Sequence, residues 1–183
     1  MTTPLKCLIV EDSADDAELI VRELRRAGYA PEWTVVQTEP DFLAALKQLP
    51  DIILSDYSMP QFNGVRAVEL SLASGLNIPC ILISGTVGED VAIEALRRGA
   101  TDYLLKDRIT RLGMAVKNAL DQKLLRAERK QADAEIQKQL QELQRWHEAM
   151  LGRETRIMEL KREVNELLVQ LHRPPRYANN ASS

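Results

Sequence analysis

The sequence predicts an α/β fold: a doubly wound, five-stranded parallel sheet followed by a long C-terminal helical extension. Three observations predict it. Short apolar runs alternate with amphipathic stretches five times over residues 1–122, the pattern of β-α units whose strands are covered on both faces. Two of those runs, Leu8-Ile9-Val10 and Ile52-Ile53-Leu54-Ser55, close on carboxylates: Glu11-Asp12 and Asp56. From Thr110 to Arg173 there is no proline, and charged and apolar residues recur at helical spacing.

The elements follow in order. Leu5–Val10 is the first expected strand. Ser13, with Asp16 three residues later, is a variant capping box that opens a helix over about 14–27, and Gly28 sits where it should stop. A strand at Glu32–Val36 and a helix near 40–48 come next. The third strand, Ile52–Asp56, precedes a helix over about 64–73. The fourth strand is Pro79–Ser84 or starts one residue later, since proline suits only a strand's first position. A helix over 89–98 then stops at Gly99. The fifth strand, Asp102–Leu105, leads to a helix from 108 onward, with Asp107 placed to cap it.

The extension, 123–173, has a seven-residue register. Leu143, Met150, Ile157, Val164 and Leu171 hold one core position; Trp146, Arg153, Leu160 and Leu167 hold the other. This is a coiled-coil seam with one polar break at Arg153. Val116, Leu120, Leu124, Ala127 and Ala134 follow another phase, so a stutter is expected near 128–140, where Gln131 and Lys138 weaken the seam. A helix of about 60 residues is about 90 Å long. It cannot bury such a stripe on one small domain, so self-association or docking to a partner helix is expected. Pro174-Pro175 are expected to end the helix, and 174–183 reads as a disordered tail.

Composition removes several function classes. Hydrophobic residues are 45% and aromatic residues 4%, so the core is aliphatic. The net charge of −3 argues against nucleic acid as a partner, because phosphate binding needs a concentrated basic face. No apolar run is long enough to span a membrane. The opening residues lack a charged head and apolar signal region, so a cytoplasmic location is expected. Cys7 and Cys80 lie far apart inside apolar runs and read as free core thiols. His147-Glu148 and His172 read as helix-surface residues.

Glu11, Asp12, Asp56, Ser84 and Lys106 each fall at or just after the end of an expected strand, where open α/β sheets bind their ligands. Hard oxygen ligands of this kind suit Mg²⁺. Asp12 and Asp56 could ligate it directly and Glu11 through water. Ser84 could donate its hydroxyl to a phosphoryl oxygen, and Lys106 could place an ammonium on another. Asp15 and Asp16 read as helix-entry charge.

The motifs Leu8-Ile9-Val10-Glu11-Asp12, Leu54-Ser55-Asp56 through Gly64, Ile83-Ser84-Gly85 and Gly99 through Lys106, in this order and spacing, resemble the flavodoxin-like receiver domain of two-component response regulators. The resemblance covers roughly residues 4–122. It implies that Asp56 accepts a phosphoryl group from a histidine kinase or phosphotransfer protein, and that the backbone carbonyl of Ser58 completes the metal site. It implies further that Ser84 and Tyr103 form a switch pair, and that Gly85 leaves room beside the acyl phosphate. One departure stands out: Asp107 follows Lys106 where the family usually has proline, so a trans peptide is expected there. Such a domain is a phosphoacceptor rather than an enzyme. Its slow self-dephosphorylation would be tuned by Ser58 and Thr86.

DNA-binding, RNA-binding and catalytic outputs do not fit 123–173, which lacks the break a helix-turn-helix needs. The reading is a response regulator signalling through a dimerising helix, with a parallel homodimer as the simpler arrangement. The alternatives are a phosphoryl relay or sink, or a scaffold module, each with a static coiled coil.

Overall fold

The structure is a computed structural model that describes residues 2–60, 62–85 and 89–177. The chain falls into two compact units, residues 1–127 and 128–183.

The first unit carries strands β1 (Thr3–Val10), β2 (Tyr29–Val36), β3 (Ile52–Asp56), β4 (Cys80–Ser84) and β5 (Asp102–Leu105). Helices α1 (Ala14–Arg26), α2 (Glu39–Leu46), α3 (Gly64–Ala73) and α4 (Glu89–Arg97) connect them. All pairings are parallel, in the order β2-β1-β3-β4-β5. The direction of winding reverses at β1, so a crevice opens between the C-terminal ends of β1 and β3.

Side chains alternate across the sheet with period two. Leu5, Cys7, Ile9, Ile52, Leu54, Ile81 and Ile83 face α1 and the first turns of the last helix, in a core with Ile20, Leu24, Leu112 and Val116. Leu8, Val10, Ile53, Cys80 and Leu82 face α2, α3 and α4, with Phe42, Phe62 and Val68. Local chemistry sets the helix starts. Ser13 Oγ accepts the Asp16 N–H at 3.3 Å, Thr38 Oγ1 that of Asp41 at 3.3 Å, and Asn63 Oδ1 that of Arg66 at 2.8 Å. Gly28 at φ 91° and Gly99 at φ 102° follow the ends of α1 and α4 in the left-handed region, as expected from the sequence.

Several boundaries differ from expectation. β2 begins at Tyr29 and carries Pro31 in its middle. It is an edge strand, so the missing N–H can face outward. Pro4 lies inside β1 where only β2 is paired with it, because pairing with β3 starts at Cys7. Asp107 does not cap a helix. A 3₁₀ segment runs Lys106–Arg111 with Leu105 at the cap position and no side-chain cap bond, and α5 then runs Leu112–Gln170. Among the described residues there is no cis peptide bond.

α5 is one 59-residue helix, unbroken through residues 128–140. Its end is set before the prolines. His172 adopts φ 55°, its N–H bonds to Val169 O at 3.0 Å, and Arg173 N–H bonds to Leu168 O at 2.8 Å. This is a Schellman motif with histidine in the position that favours glycine. Residues 174–177 fold back: Arg176 N–H and Tyr177 N–H donate to Asn165 Oδ1 at 2.9 and 3.1 Å, and Asn165 Nδ2 donates to Tyr177 O at 2.8 Å. The rest of the expected tail, 178–183, lies outside the described residues. Among the described residues no helix is long and apolar enough to cross a membrane.

Candidate functional site

The C-terminal ends of β1 and β3 bring three acids together. Carboxylate oxygens of Glu11, Asp12 and Asp56 lie within 4.8 Å of one another. Glu11 and Asp56 are buried and Asp12 is exposed. Asp56 is the last residue of β3, level with Ile83 of β4. The chain leaves β3 through the Tyr57 N–H, which bonds to Ile83 O at 2.8 Å, and the Ser58 N–H, which bonds to Asp56 Oδ1 at 3.3 Å. Gly64 closes the site from behind. A Cβ there would sit 2.6 Å from the Asp56 carbonyl oxygen and 2.7 Å from Leu82 Cδ2.

Lys106 enters from the end of β5. Its Nζ lies 3.2 Å from Glu11 Oε2 and 3.2 Å from Asp56 Oδ2, and it also bonds to Asp16. Burial works against the ammonium, but the hydrogen bond to Asp16 and the charges of Glu11 and Asp56 outweigh it, holding Lys106 well above the ordinary lysine value. It is therefore fully charged at neutral pH. Glu11 is pushed up by burial, against the opposing bond from the Ser13 N–H and the charge of Lys106, with Asp56 adding to the rise. An acidic pocket with buried carboxylates and one lysine is short of positive charge. Its all-oxygen donor set fits a hard divalent cation that keeps several waters.

The expected switch pair, Ser84 and Tyr103, lies on β4 and β5. Ser84 ends β4, fully buried, beside Leu105 in register. Tyr103 lies on β5, half-buried, with its ring 6.5 Å from that of Tyr57 and nearly perpendicular to it. Thr86 and Gln61 lie outside the described residues. One residue was missed. Asp16 is not simple helix-entry charge, because it holds Lys106. The available signal was its place four residues after Asp12, one turn into the helix that starts at the site. The free thiols Cys7 and Cys80 are buried, and burial pushes both up to about 12, so they play no part in this chemistry.

Comparison with known proteins agrees with this geometry. The response regulator receiver domain family matches residues 7–117. Over 114 residues the chain is 33% identical to the regulatory protein LuxO of Vibrio vulnificus, a match covering 61% of this chain and 25% of LuxO. It is 34% identical over 111 residues to a protein-glutamate methylesterase/protein-glutamine glutaminase of Rhodopseudomonas palustris, covering 57% of this chain and 30% of that protein. The chain thus spans about a quarter of the length of LuxO. A receiver domain protein of Clostridium thermocellum superposes with a TM-score of 0.58 at 24% identity, over 66% of this chain and 98% of that one. A doubly wound sheet with an acidic pocket and a strand-end lysine defines a receiver module. This chain belongs to the response regulator receiver domain family of two-component systems.

Proposed function

We propose that the chain is a response regulator in which Asp56 accepts a phosphoryl group from a phosphohistidine donor, and that the helix over 123–173 carries the output by self-association. The observation that supports it best is a buried Asp56 contacted by Lys106 at 3.2 Å, with Glu11 and Asp12 oxygens within 4.8 Å.

An Asp56 carboxylate oxygen attacks phosphorus while the bond to the donor's imidazole nitrogen breaks. The donor leaves as histidine and Asp56 becomes an acyl phosphate. Glu11, Asp12, Asp56 and the carbonyl of Ser58 would hold Mg²⁺, which supplies charge to offset repulsion between the carboxylates and the incoming group. Lys106 needs no new charge for the product: it exchanges a carboxylate partner for a phosphoryl oxygen. Ser84, at the end of the adjacent strand, would donate its hydroxyl to another such oxygen, and Tyr103, on the strand beyond, would respond with it as the switch pair. Hydrolysis of the acyl phosphate is then a slow side reaction, and the module is a phosphoacceptor rather than an enzyme. Partner kinase and cytoplasmic location follow from the same reading.

The test is labelling with a small phosphoramidate donor and Mg²⁺. Wild type should take up one base-labile phosphoryl group and Asp56→Asn none. Equal labelling of both would move the acceptor elsewhere and end this reading. Lys106→Ala should bind beryllofluoride with lower affinity while keeping its fold.

A further inference from the structure

If the helix seam mediates self-association, the two copies meet in one direction and one register. We propose that the partner of this seam is a second copy of the chain running antiparallel, in the register that sets Ile157 of one helix against Leu160 of the other.

The seam residues Leu143, Trp146, Met150, Ile157, Leu160, Val164, Leu167 and Leu171 are all exposed in the single chain. The chain's own tail does not cover them: it bonds to Asn165, one residue past Val164 and off the a/d seam. What occupies the seam is therefore decided by the charges that flank it. With Leu143 at a and Trp146 at d, Glu154 and Lys161 fall at e, and Arg156 and Glu163 at g. The structure confirms that the last two share one edge of the helix, with Arg156 Nη1 3.6 Å from Glu163 Oε1.

A parallel pair in register places identical core residues opposite each other. Arg153 would meet Arg153 inside the seam. On each flank, the g residue meets the e residue five positions on in the other helix, so Arg156 would meet Lys161 twice. From Ala149 to Leu168 no charge at these flanks is answered: Glu154 would face Ala149, and Glu163 would face Leu168.

An antiparallel pair sets a against d, and e and g residues meet their own kind. In the proposed register Arg153 packs against Val164, Met150 against Leu167 and Trp146 against Leu171. Arg156 meets Glu163 of the second copy and Glu154 meets Lys161, each twice by symmetry. A one-heptad slip in either direction destroys this. One slip places Arg156 on Arg156 and Glu154 on Glu154; the other places Glu163 on Glu163 and Lys161 on Lys161. Four complementary contacts and the separation of the two Arg153 side chains thus select both the direction and the register.

Spin labels at Gln144→Cys and Met158→Cys, made separately in the full chain, test this. Both sites lie on the outer face of the helix, and the native thiols are buried. Met158 sits next to the proposed centre and should give a short distance between copies. Gln144 should give a separation beyond about 40 Å, from the 1.5 Å rise per residue. A short distance at both sites would overturn the antiparallel arrangement while leaving self-association intact. A monomeric mass with no dipolar coupling at either site would overturn self-association itself. Charge reversal gives an independent sign. Arg156→Glu should weaken an antiparallel dimer about three- to tenfold, and Glu163→Arg added to it should restore the affinity. Tightening by Arg156→Glu, which would answer Lys161 in a parallel pair, would overturn the proposal.

Discussion

At the scale of residues, the site is a balance between buried acids and one lysine. Glu11 has its carboxyl raised above the ordinary glutamate value by burial. Between the unfolded and folded values the folded state holds more protons than the unfolded one, so stability falls as pH rises through that window. In metal-free protein, wild type should therefore lose stability relative to Glu11→Gln as pH is raised above the ordinary glutamate value, read by urea denaturation at a series of pH values. Mg²⁺ held at this site would favour the deprotonated form and should reduce this loss. Asp16 gives a second prediction. A cation held by Glu11, Asp12 and Asp56 would compete with Lys106 for their oxygens, and Asp16 offers the ammonium another partner. Asp16→Asn removes that partner and a nearby negative charge, so Mg²⁺ affinity should fall roughly two- to fivefold, as for a modest ion-pair effect. Calorimetric titration measures it, and unchanged affinity would make Asp16 a bystander. The convergence of Glu11, Asp12, Asp56 and Lys106 was legible in the sequence because strand ends meet in this fold. Asp16 was not, because helix-entry charge and a lysine partner look identical until β5 is placed.

At the scale of elements, apolar runs located all five strands, and the errors came from backbone rules applied without neighbours. The expected start of β2 at Glu32 leaves out Tyr29–Pro31, and an edge strand can take in that proline. The helix end reads as Pro174 until His172 is seen at φ 55°. That position makes a prediction. A side chain in the left-handed region costs about 1–2 kcal/mol relative to glycine, so His172→Gly should stabilise the C-terminal end of α5, seen as slower amide exchange at Leu171–Arg173. Gly64 works the other way. It is the first residue of α3 and abuts the Asp56 carbonyl, so Gly64→Ala must push backbone at the site. Overpacking of this kind typically costs about 1–3 kcal/mol. The denaturation midpoint should fall accordingly, and beryllofluoride affinity should fall with it because the displaced backbone carries Asp56.

At the scale of the whole molecule, the question is whether the helix answers to Asp56, and thermodynamics supplies a test that needs no structure of the phosphorylated state. If acyl phosphate strengthens self-association by some factor, self-association must strengthen binding of an acyl-phosphate mimic by the same factor. Beryllofluoride affinity should therefore rise with protein concentration through the dimerisation range. Ile157→Asp, which puts a charge in the seam, should flatten that dependence at the monomer's value while leaving phosphoryl uptake by Asp56 intact. Equal affinities at all concentrations, in a protein that still dimerises, would describe a static pair and a relay rather than a switch. The sign is informative as well. Affinity that falls with concentration means that phosphorylation separates the copies, in which case the exposed seam is the signalling state and a partner helix its receptor. We expect the rise. Seam residues such as Trp146 and Leu171, about 70% exposed in the single chain, are costly to leave open, and a signal that buries them has the hydrophobic effect behind it.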